Sequence, residues 1–205
     1  MRNSWKMSLC RTLRRMVVAT IITGSCAACT VDRPPLKSDT LVALFVHLCG
    51  DTSADGAKAL RLADNEEWKV TSKRFSPPGI LGPWSSVQSR IRITDDDVRF
   101  LLVGRKPLND GRTIQSCAVG GRNVRDVSSY AERRAELQRW IGGEPISEDD
   151  AQTYVMYAFQ IVDGRRIALR YDPLSPRAPK VTSAAVVVLT EQETPNAFIS
   201  YGVVP

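Results

Sequence analysis

Residues 153–172, TYVMYAFQIVDGRRIALRYD, decide the fold that this sequence predicts. Two runs rich in β-branched and aromatic residues flank Asp163 and Gly164, and Asp-Gly between such runs is the strongest short-range indication of a β-hairpin. A two-residue turn pairs Val162 with Arg165 and thereby sets the register of the two strands. The chain should therefore contain an antiparallel sheet.

The same register assigns the side chains of the hairpin to two faces. One face is predicted to be core. Its members are Met156, Ala158, Ile167, Leu169 and Tyr171. The opposite face carries Val155, Tyr157 and Phe159 among charged residues, so we predict that it is half solvated, with Arg170 lying over Tyr157.

Three amphipathic helices are predicted outside the hairpin. The first begins after Ser38 or Asp39, because either side chain can cap a helix. Its apolar stripe consists of Leu41, Leu44, Phe45, Leu48 and Cys49. The second begins at Ser53 and runs to about Trp68, and the third covers residues 126–140.

Strand-forming residues dominate the chain after the second helix. The predicted strands cover residues 86–93, 98–104, 113–119, 153–162, 165–172, 181–189 and 198–204. Stretches rich in glycine or proline at residues 76–79, 110–112 and 120–122 are predicted loops or turns. Because strands and helices do not alternate regularly, the order predicts an α+β fold. We expect residues 38–205 to form one globular domain, an antiparallel sheet with helices packed mainly on one face.

The N-terminus has the layout of a secretory signal peptide. Residues 1–15 contain five basic residues and no acidic residue, and an apolar run followed by small residues comes next. That run is shorter than the roughly 20 residues that a membrane-spanning helix needs. The sequence therefore predicts a signal peptide at residues 1–28 and a proline-containing tether at residues 29–37.

Residues 22–26, Ile-Thr-Gly-Ser-Cys, resemble the lipobox of bacterial lipoproteins, in which small or aliphatic residues precede the cysteine that is acylated. The resemblance implies that Cys26 becomes the lipid-modified N-terminus and anchors the protein to a membrane. Two alternatives remain, acylation of Cys29 and ordinary cleavage after Ala27 or Ala28 without a lipid. Each of them predicts an exported protein, in the periplasm or on the inner or outer membrane.

Removal of the signal peptide changes the net charge. The full chain has 28 basic and 22 acidic residues, a formal net charge of +6, and the signal carries five of the basic residues. The remaining 23 basic and 22 acidic residues give a net charge of +1, with both signs interspersed. A nucleic-acid-binding domain carries a clustered basic patch, so we predict no nucleic-acid partner.

Two cysteines remain in the predicted domain, Cys49 in the first helix and Cys117 in a strand. Export implies an oxidising compartment, in which such pairs usually form a disulfide. We therefore predict a Cys49–Cys117 disulfide, with two buried free thiols as the alternative. Cys26 and Cys29 have C-x-x-C spacing but no second pair or histidine cluster beside them, so they predict no metal or redox site.

The sequence contains no recognisable catalytic, metal or cofactor motif. The single histidine, His47, lies in the first helix without a partner motif and is predicted to be a surface or packing residue. The aspartates at residues 95–97 lack the spacing of a calcium loop and are predicted to form a solvated turn. The acidic residues 148–150 follow Ser147 and are predicted to begin a short helical turn. We therefore assign no catalytic, metal-binding or cofactor-binding residue and expect no cofactor.

Cys49 in a helix, an acid- and alanine-rich second helix that ends at Trp68, and Cys117 in a strand form a pattern over residues 38–120. This pattern resembles small exported proteobacterial proteins of unknown function, which share a helix cysteine, a tryptophan closing the next helix and a later strand cysteine. Glu67 stands where glycine is more usual in those proteins. The resemblance implies the fold and the disulfide and implies no activity.

These observations favour a non-enzymatic periplasmic or membrane-anchored protein with a binding or assembly role and an envelope protein as its partner. A cell-envelope hydrolase that uses a carboxylate pair is an alternative, because the chain is rich in aspartate and glutamate. An inhibitor or chaperone of an envelope enzyme is another. Such a protein would use an exposed loop at residues 75–84 or the terminal strand.

Overall fold

The computed structural model describes residues 40–72, 84–94, 97–123, 128–149, 151, 153–179, 181, 183–192 and 196–204. This part of the chain contains three helices: α1 (Leu41–Phe45), which continues as a π-helical segment (Val46–Gly50), α2 (Gly56–Asn65) and α3 (Tyr130–Ile141). Its nine strands are β1 (Lys69–Val70), β2 (Ser85–Thr94), β3 (Asp97–Pro107), β4 (Thr113–Asn123), β5 (Ser147–Glu148), β6 (Tyr154–Val162), β7 (Arg165–Ala168), β8 (Ala184–Gln192) and β9 (Asn196–Val204).

The described strands form one antiparallel sheet in the order β1-β2-β3-β4-β9-β8-β6-β5, and β7 also pairs with β6. The predicted antiparallel sheet is therefore confirmed. The sequence did not predict β1 and β5, because strands of two residues leave no periodic pattern. β9 lies in the middle of the sheet between β4 and β8, so the prediction that the terminal strand offers an exposed edge is wrong.

The β6–β7 hairpin forms in the predicted register. Asp163 and Gly164 have φ values of 49° and 74°, and Val162 pairs with Arg165 across the turn. Positive φ at both central residues is the requirement that makes Asp-Gly a preferred pair at this kind of turn. β7 is shorter than predicted, because it ends at Ala168.

Two apolar clusters lie against the sheet. The larger cluster contains residues from all three helices and the β6 residues Val155, Tyr157 and Phe159, each of them fully buried. The smaller cluster contains Met156 and Ala158 of β6 together with residues from connecting segments. The prediction that the Tyr157 face is half solvated is therefore wrong, because both faces of β6 are covered over most of its length.

Each described helix follows a residue whose side chain accepts a backbone hydrogen bond. These caps are Thr40 for α1, Asp55 for α2 and Ser129 for α3. A cap satisfies one of the N–H groups that the first turn of a helix leaves without an internal partner. The predicted caps Ser38 and Asp39 lie outside the described residues. Ser53 is not a cap, because it and Ala54 have φ values of 53° and 59° in a turn that precedes α2.

Cys49, in the π-helical segment, and Cys117, in β4, form a disulfide with an Sγ–Sγ distance of 1.98 Å and a Cα–Cα distance of 5.6 Å. Both cysteines are fully buried. The structure therefore agrees with the predicted pairing, and the bond connects the first helical segment to an interior strand of the sheet.

Four aromatic rings pack around the contact of α1 and α3 with the sheet: Phe45, Trp140, Phe159 and Tyr201. The Arg166 guanidinium, on β7, lies 3.9 Å from the centre of the Trp140 ring. This contact stands in place of the predicted one between Arg170 and Tyr157, since β7 ends before Arg170. The large side chains of the core therefore anchor the hairpin to α3.

The glycines at residues 120–122 lie inside β4, so the turn predicted there is wrong. Gly120 leaves room for an aromatic ring, because a Cβ atom on it would lie 2.2 Å from the Phe198 ring. The turn predicted at residues 110–112 is confirmed. There Gly111 has a φ of 84°, and Asp110 accepts a hydrogen bond from the backbone N–H of Arg112.

Candidate functional site

A cavity of about 970 Å³ lies at the outer edge of the sheet, where α3 ends. Three segments line it: residues 135–139 of α3, residues 142–146 after the helix, and residues 168–170 at the end of β7. We call this cavity the α3–β7 cleft. Its walls therefore come from stretches that lie far apart in the sequence and are brought together by the fold.

Two glycines shape one wall of the α3–β7 cleft. Gly142 ends α3 with a φ of 83°, and its N–H donates to the Gln138 carbonyl. Gly143 then passes close to β7, since a Cβ atom on it would lie 2.2 Å from the Ala168 Cβ. The pair of glycines that the sequence marks as a helix end thus also brings the chain against the edge of the sheet.

The cleft opens where β5 and β7 meet along the same side of β6. The Ile146 N–H donates to the Met156 carbonyl at 2.8 Å, and the Leu169 N–H donates to the Ala158 carbonyl at 2.9 Å. Tyr157 lies between these two acceptors. The outer side of β6 thus changes partner within a few residues, and the cleft is located at this change.

The charged side chains of the cleft are unequally compensated. Arg139 and Arg170 are exposed, and neither forms an ion pair or a side-chain hydrogen bond with a described residue. Glu144, the carboxylate in the wall, accepts a hydrogen bond from Gln138 Nε2 at 2.8 Å. Among the charged groups of the cleft, the Arg139 and Arg170 guanidinium groups are therefore the ones that no described residue pairs with.

A firm contact beside the cleft holds β5 to α3. Arg134 forms a two-point ion pair with Glu148, with N–O distances of 2.7 and 2.8 Å, and the hydrogen bond that Arg134 donates to Glu148 raises the pKa of Arg134. The Tyr157 hydroxyl donates to the Arg134 carbonyl at 3.1 Å, and burial raises the pKa of Tyr157 to about 12. These contacts tie β5 and β6 to α3 beside the cleft without using Arg139 or Arg170.

The composition of the cleft suits an anionic ligand. Guanidinium groups bind carboxylates and phosphates through charge-assisted, often paired hydrogen bonds. Ile146 and Leu169 are half-buried in the wall and offer an apolar surface beside those charges. A largely apolar cavity with a few convergent polar groups is the usual form of a binding site.

A second cavity, of about 660 Å³, lies between α2 and the ends of β2, β3 and β4. Two carboxylates line it, Asp55 and Asp64. The hydrogen bond from the Lys58 N–H lowers the pKa of Asp55, and the hydrogen bond from the Arg90 side chain lowers the pKa of Asp64. Both carboxylates thus remain ionised in structural contacts, whereas a general acid needs a raised pKa.

His47 lies on the surface of the π-helical segment. Its Nε2 is 2.5 Å from Glu66 Oε1, and roughly half of its side chain is exposed, 49%. Glu66 also lies 3.9 Å from Arg92. The prediction of a surface residue is confirmed, and His47 is a surface contact between the first helical segment and the end of α2.

The predicted acidic stretches separate into different roles. Asp97 is the first residue of β3, and both of its oxygens accept from Arg99 Nε, at 2.7 and 2.8 Å. Residues 95 and 96 lie outside the described part. The helical turn predicted at residues 148–150 is wrong for the two residues that are described, because Glu148 belongs to β5 and Asp149 accepts hydrogen bonds from Thr153 and Tyr154.

Several predicted features fall outside the described residues. They are the signal peptide at residues 1–28 with Cys26, the tether at residues 29–37 with Cys29, and residues 75–83 of the candidate loop. Within the described part, no group of three or more His, Cys, Asp or Glu side chains is arranged to hold a metal ion. The helices of this part include none with the length and apolarity to cross a membrane.

Sequence reasoning missed Arg139 and Arg170 as candidate binding residues. Arg139 is one of several charged residues in α3, and Arg170 follows a strand whose end was predicted two residues beyond it. Neither has a motif, since the site exists only when the hairpin and the end of α3 come together. The register set by Asp163 and Gly164 is the one sequence feature that bears on this, because it fixes how β7 pairs with β6 and hence where the chain leaves the strand shortly before Arg170.

Comparison with protein-family models, with curated proteins and with solved structures finds no match to this chain. The residues of this chain and their geometry are therefore the basis for its proposed function.

Proposed function

We propose that this protein is exported to the cell envelope and acts there by binding a partner in the α3–β7 cleft, without catalysing a reaction. One observation carries the proposal. A cavity of about 970 Å³ has two exposed arginines, Arg139 and Arg170, that bond to no described residue. Since these arginines form no ion pair or side-chain hydrogen bond with the described residues, both guanidinium groups are available to a ligand in the cleft.

The proposed location in the envelope is supported by the sequence. A basic, then apolar, then small-residue N-terminus is typical of a secretory signal. The buried Cys49–Cys117 disulfide is consistent with an oxidising compartment. We propose that acylated Cys26 anchors the protein, with Cys29 as the alternative anchor, in the manner of the exported proteobacterial proteins that the chain resembles.

We also propose that the helices cover mainly one face of the sheet. In support, the larger apolar cluster contains residues of α1, α2 and α3, whereas the described members of the smaller cluster are strand and connecting residues. The α3–β7 cleft then lies where the helical layer reaches the edge of the sheet. A partner would approach it from the side, without displacing a helix.

Site-specific photo-crosslinking in intact cells tests the binding proposal. A photoreactive residue at position 138, in the cleft, should form a discrete adduct, and one at position 58, exposed on α2, should not. Ala135→Trp, which fills the cleft from α3, should abolish the adduct formed from position 138. Adducts from position 58 alone, or adducts that persist in Ala135→Trp, would contradict the proposal.

The alternative, a hydrolase with a carboxylate pair, has a defined test in the second cavity. Asp55→Asn and Asp64→Asn should leave any hydrolysis of glycan, peptide or ester substrates unchanged if the protein only binds. Turnover by the purified protein that either substitution abolishes would replace the binding proposal with the hydrolase. An inhibitor or chaperone would instead give a cleft adduct with an envelope enzyme.

The mass of the intact, membrane-extracted protein tests the proposed anchor. Cleavage before Cys26 with added acyl chains is the expected result. An acylated N-terminus at Cys29 would move the anchor by three residues, and a precursor of full mass would contradict export.

A further inference from the structure

We propose that the α3–β7 cleft takes an extended acidic segment of a protein partner, which adds a strand to the outer side of β7 at Ala168 and places its carboxylates against Arg139 and Arg170. The inference rests on the proposed binding function and deepens it, since it names the chemistry of the ligand. It predicts a partner segment in which acidic and apolar residues alternate.

The backbone groups of β7 face alternately toward β6 and away from it. In an antiparallel pair, alternate residues direct both their N–H and C=O toward the neighbouring strand. The Leu169 N–H donates to the Ala158 carbonyl of β6 at 2.9 Å, so Leu169 directs its backbone groups toward β6. By the same alternation, Ile167 and Arg165 also direct theirs toward β6. Ala168 therefore directs its N–H and C=O away from β6, and no described strand pairs with that side.

The α3–β7 cleft adjoins the end of β7. Ala168, the last residue of β7, and the two residues after it form one wall of the cleft. A peptide that pairs with the outer side of β7 therefore runs into the cleft. Strand addition to an exposed edge is an established mode of peptide recognition, in which the main chain supplies affinity and alternate side chains supply specificity.

The arginines of the cleft favour acidic side chains in the added strand. Ala168 lies on the face of the sheet that α3 covers, since Arg166, two residues earlier in β7, contacts Trp140 of that helix. Arg170 lines the same cleft just after the strand. Arg139 approaches from α3 on the same side. Side chains of an added strand alternate between faces, so every second side chain of the peptide meets these arginines. Carboxylates are the complementary groups, because each can accept two guanidinium hydrogen bonds.

The opposite face of β7 carries an exposed apolar side chain. Ile167 is 51% exposed there. The intervening residues of the added strand would lie beside it. Cross-strand apolar pairs stabilise such an arrangement, so those positions should be aliphatic. The two faces together give the alternation of acidic and aliphatic residues.

The test uses the processed protein with its disulfide intact and a fluorescent eight-residue peptide of alternating glutamate and valine. Fluorescence anisotropy should show saturable binding that weakens with salt. A peptide with glutamine in place of glutamate, and one with the same composition in two blocks, should each bind about tenfold more weakly or less. Equal binding of the block peptide would overturn the alternation, and no binding of the alternating peptide would overturn the proposal.

Protein variants locate the binding. Arg139→Gln with Arg170→Gln should weaken the alternating peptide about tenfold or more, whereas Arg177→Gln, an exposed arginine outside the cleft, should change it less than twofold. Loss in the Arg177 variant equal to that in the cleft variant would indicate non-specific attraction and contradict the site. Vesicles of anionic lipid and inorganic phosphate serve as competitors. Displacement of the peptide by either, at the same concentration of charge, would contradict a peptide ligand.

Backbone methylation of the peptide tests the strand addition without altering the protein. Two peptides are made, with N-methyl groups on the odd or on the even residues. One of them should lose binding about tenfold and the other should retain it, because only one set of N–H groups faces β7. Equal affinities for the two peptides would contradict strand addition. Cleft adducts in cells without peptide binding would overturn this inference and leave the proposed binding function standing, whereas peptide binding without cleft adducts would do the reverse.

Discussion

Gly121, in β4, occupies a position that no other residue fits. Its φ is 150°, and a Cβ atom on it would lie 2.0 Å from the Val98 carbonyl oxygen and 3.0 Å from the Arg99 Cα of β3. Backbone atoms of a paired strand cannot move aside as a flexible side chain can. The glycine thus permits close pairing of β3 and β4 beside the buried guanidinium of Arg99.

We predict that Gly121→Ala lowers the free energy of unfolding by about 3 kcal/mol or more, because the added methyl group must separate two interior strands. Gly111→Ala is the matched control. Gly111 also has positive φ, 84°, but no atom lies within 4 Å of its Cβ position, so the cost should be about 1 kcal/mol of backbone strain. Urea denaturation measures both values, and equal losses would contradict the steric explanation.

Arg133 and Glu191 form the second residue-scale feature, an ion pair between α3 and β8. Arg133 Nε donates to Glu191 Oε1 at 2.9 Å, and the exposed fractions of the two side chains are only 10% and 19%. Charges with little access to water are costly when one partner is removed, but a buried pair can often be replaced by apolar side chains.

We predict that Arg133→Met costs about 3 kcal/mol of unfolding free energy, because Glu191 is left largely buried without its cation. Glu191→Met added to it should recover at least half of that loss. The double-mutant cycle is measured by urea denaturation. Losses that simply add would indicate that the two charges contribute independently, contrary to the ion pair.

At the scale of elements, the β6–β7 hairpin and the α3–β7 cleft differ in how far the sequence predicts them. The turn at Asp163 and Gly164 follows from the positive φ that two adjacent residues must adopt, which is local chemistry. The faces of β6 do not follow locally. Alternation distinguishes two faces but not which one lies under helices, so the Tyr157 face was misassigned.

The β5–β6 connection is held by one carboxylate. Asp149 accepts hydrogen bonds from the Thr153 N–H at 2.8 Å, the Thr153 hydroxyl at 2.6 Å and the Tyr154 N–H at 2.9 Å. The Thr153 hydroxyl is the main cause that lowers the pKa of Asp149 below the ordinary 3.8. This connection therefore sets where β5 ends.

We predict that Asp149→Asn lowers stability at neutral pH and reduces its loss in acid. A carboxyl whose pKa is lower in the folded than in the unfolded protein stabilises the fold above the unfolded pKa. This stabilisation is lost as the pH falls below about 4 and through the folded pKa. Urea denaturation between pH 7 and pH 2.5 should show the wild type and the variant converging in acid. A constant difference would contradict the role of the ionised carboxylate.

At the scale of the whole molecule, the disulfide is the largest single constraint on the chain. Cys49 and Cys117 are 68 residues apart in sequence, and both are fully buried. The closed loop includes α2 and strands β1, β2 and β3, so the bond restricts three of the nine described strands in the unfolded chain. The compartment predicted from the N-terminus led to this pairing, and the order of the elements could not have shown it alone.

We predict that Cys49→Ala with Cys117→Ala lowers the free energy of unfolding by about 4 kcal/mol, the chain-entropy value for a loop of this length. Urea denaturation with and without reductant measures it. Reductant should destabilise the wild type by a similar amount and leave the variant unchanged. Alkylation of either cysteine in the native protein, without denaturant, would contradict a formed bond.

The class of the fold was predictable because periodicity, turns and the order of elements are local properties. The candidate site was not, since its walls come from α3, the segment after it and the end of β7. Arg139 and Arg170 become neighbours of one cavity only through long-range pairing. The sequence of the hairpin limits where Arg170 can lie, and α3 supplies the rest.

The central place of β9 has a consequence for the time at which this protein can fold. Among the described strands, β9 is the one that joins β4 to β8 and hence unites the two halves of the sheet. Until residues 196–204 arrive, β4 and β8 each present an unpaired interior edge, and an edge of that kind invites pairing with other chains. A chain synthesised from its N-terminus therefore cannot complete the sheet until residues 196–204 have left the ribosome, and the halves of the sheet made before them must wait with those edges open.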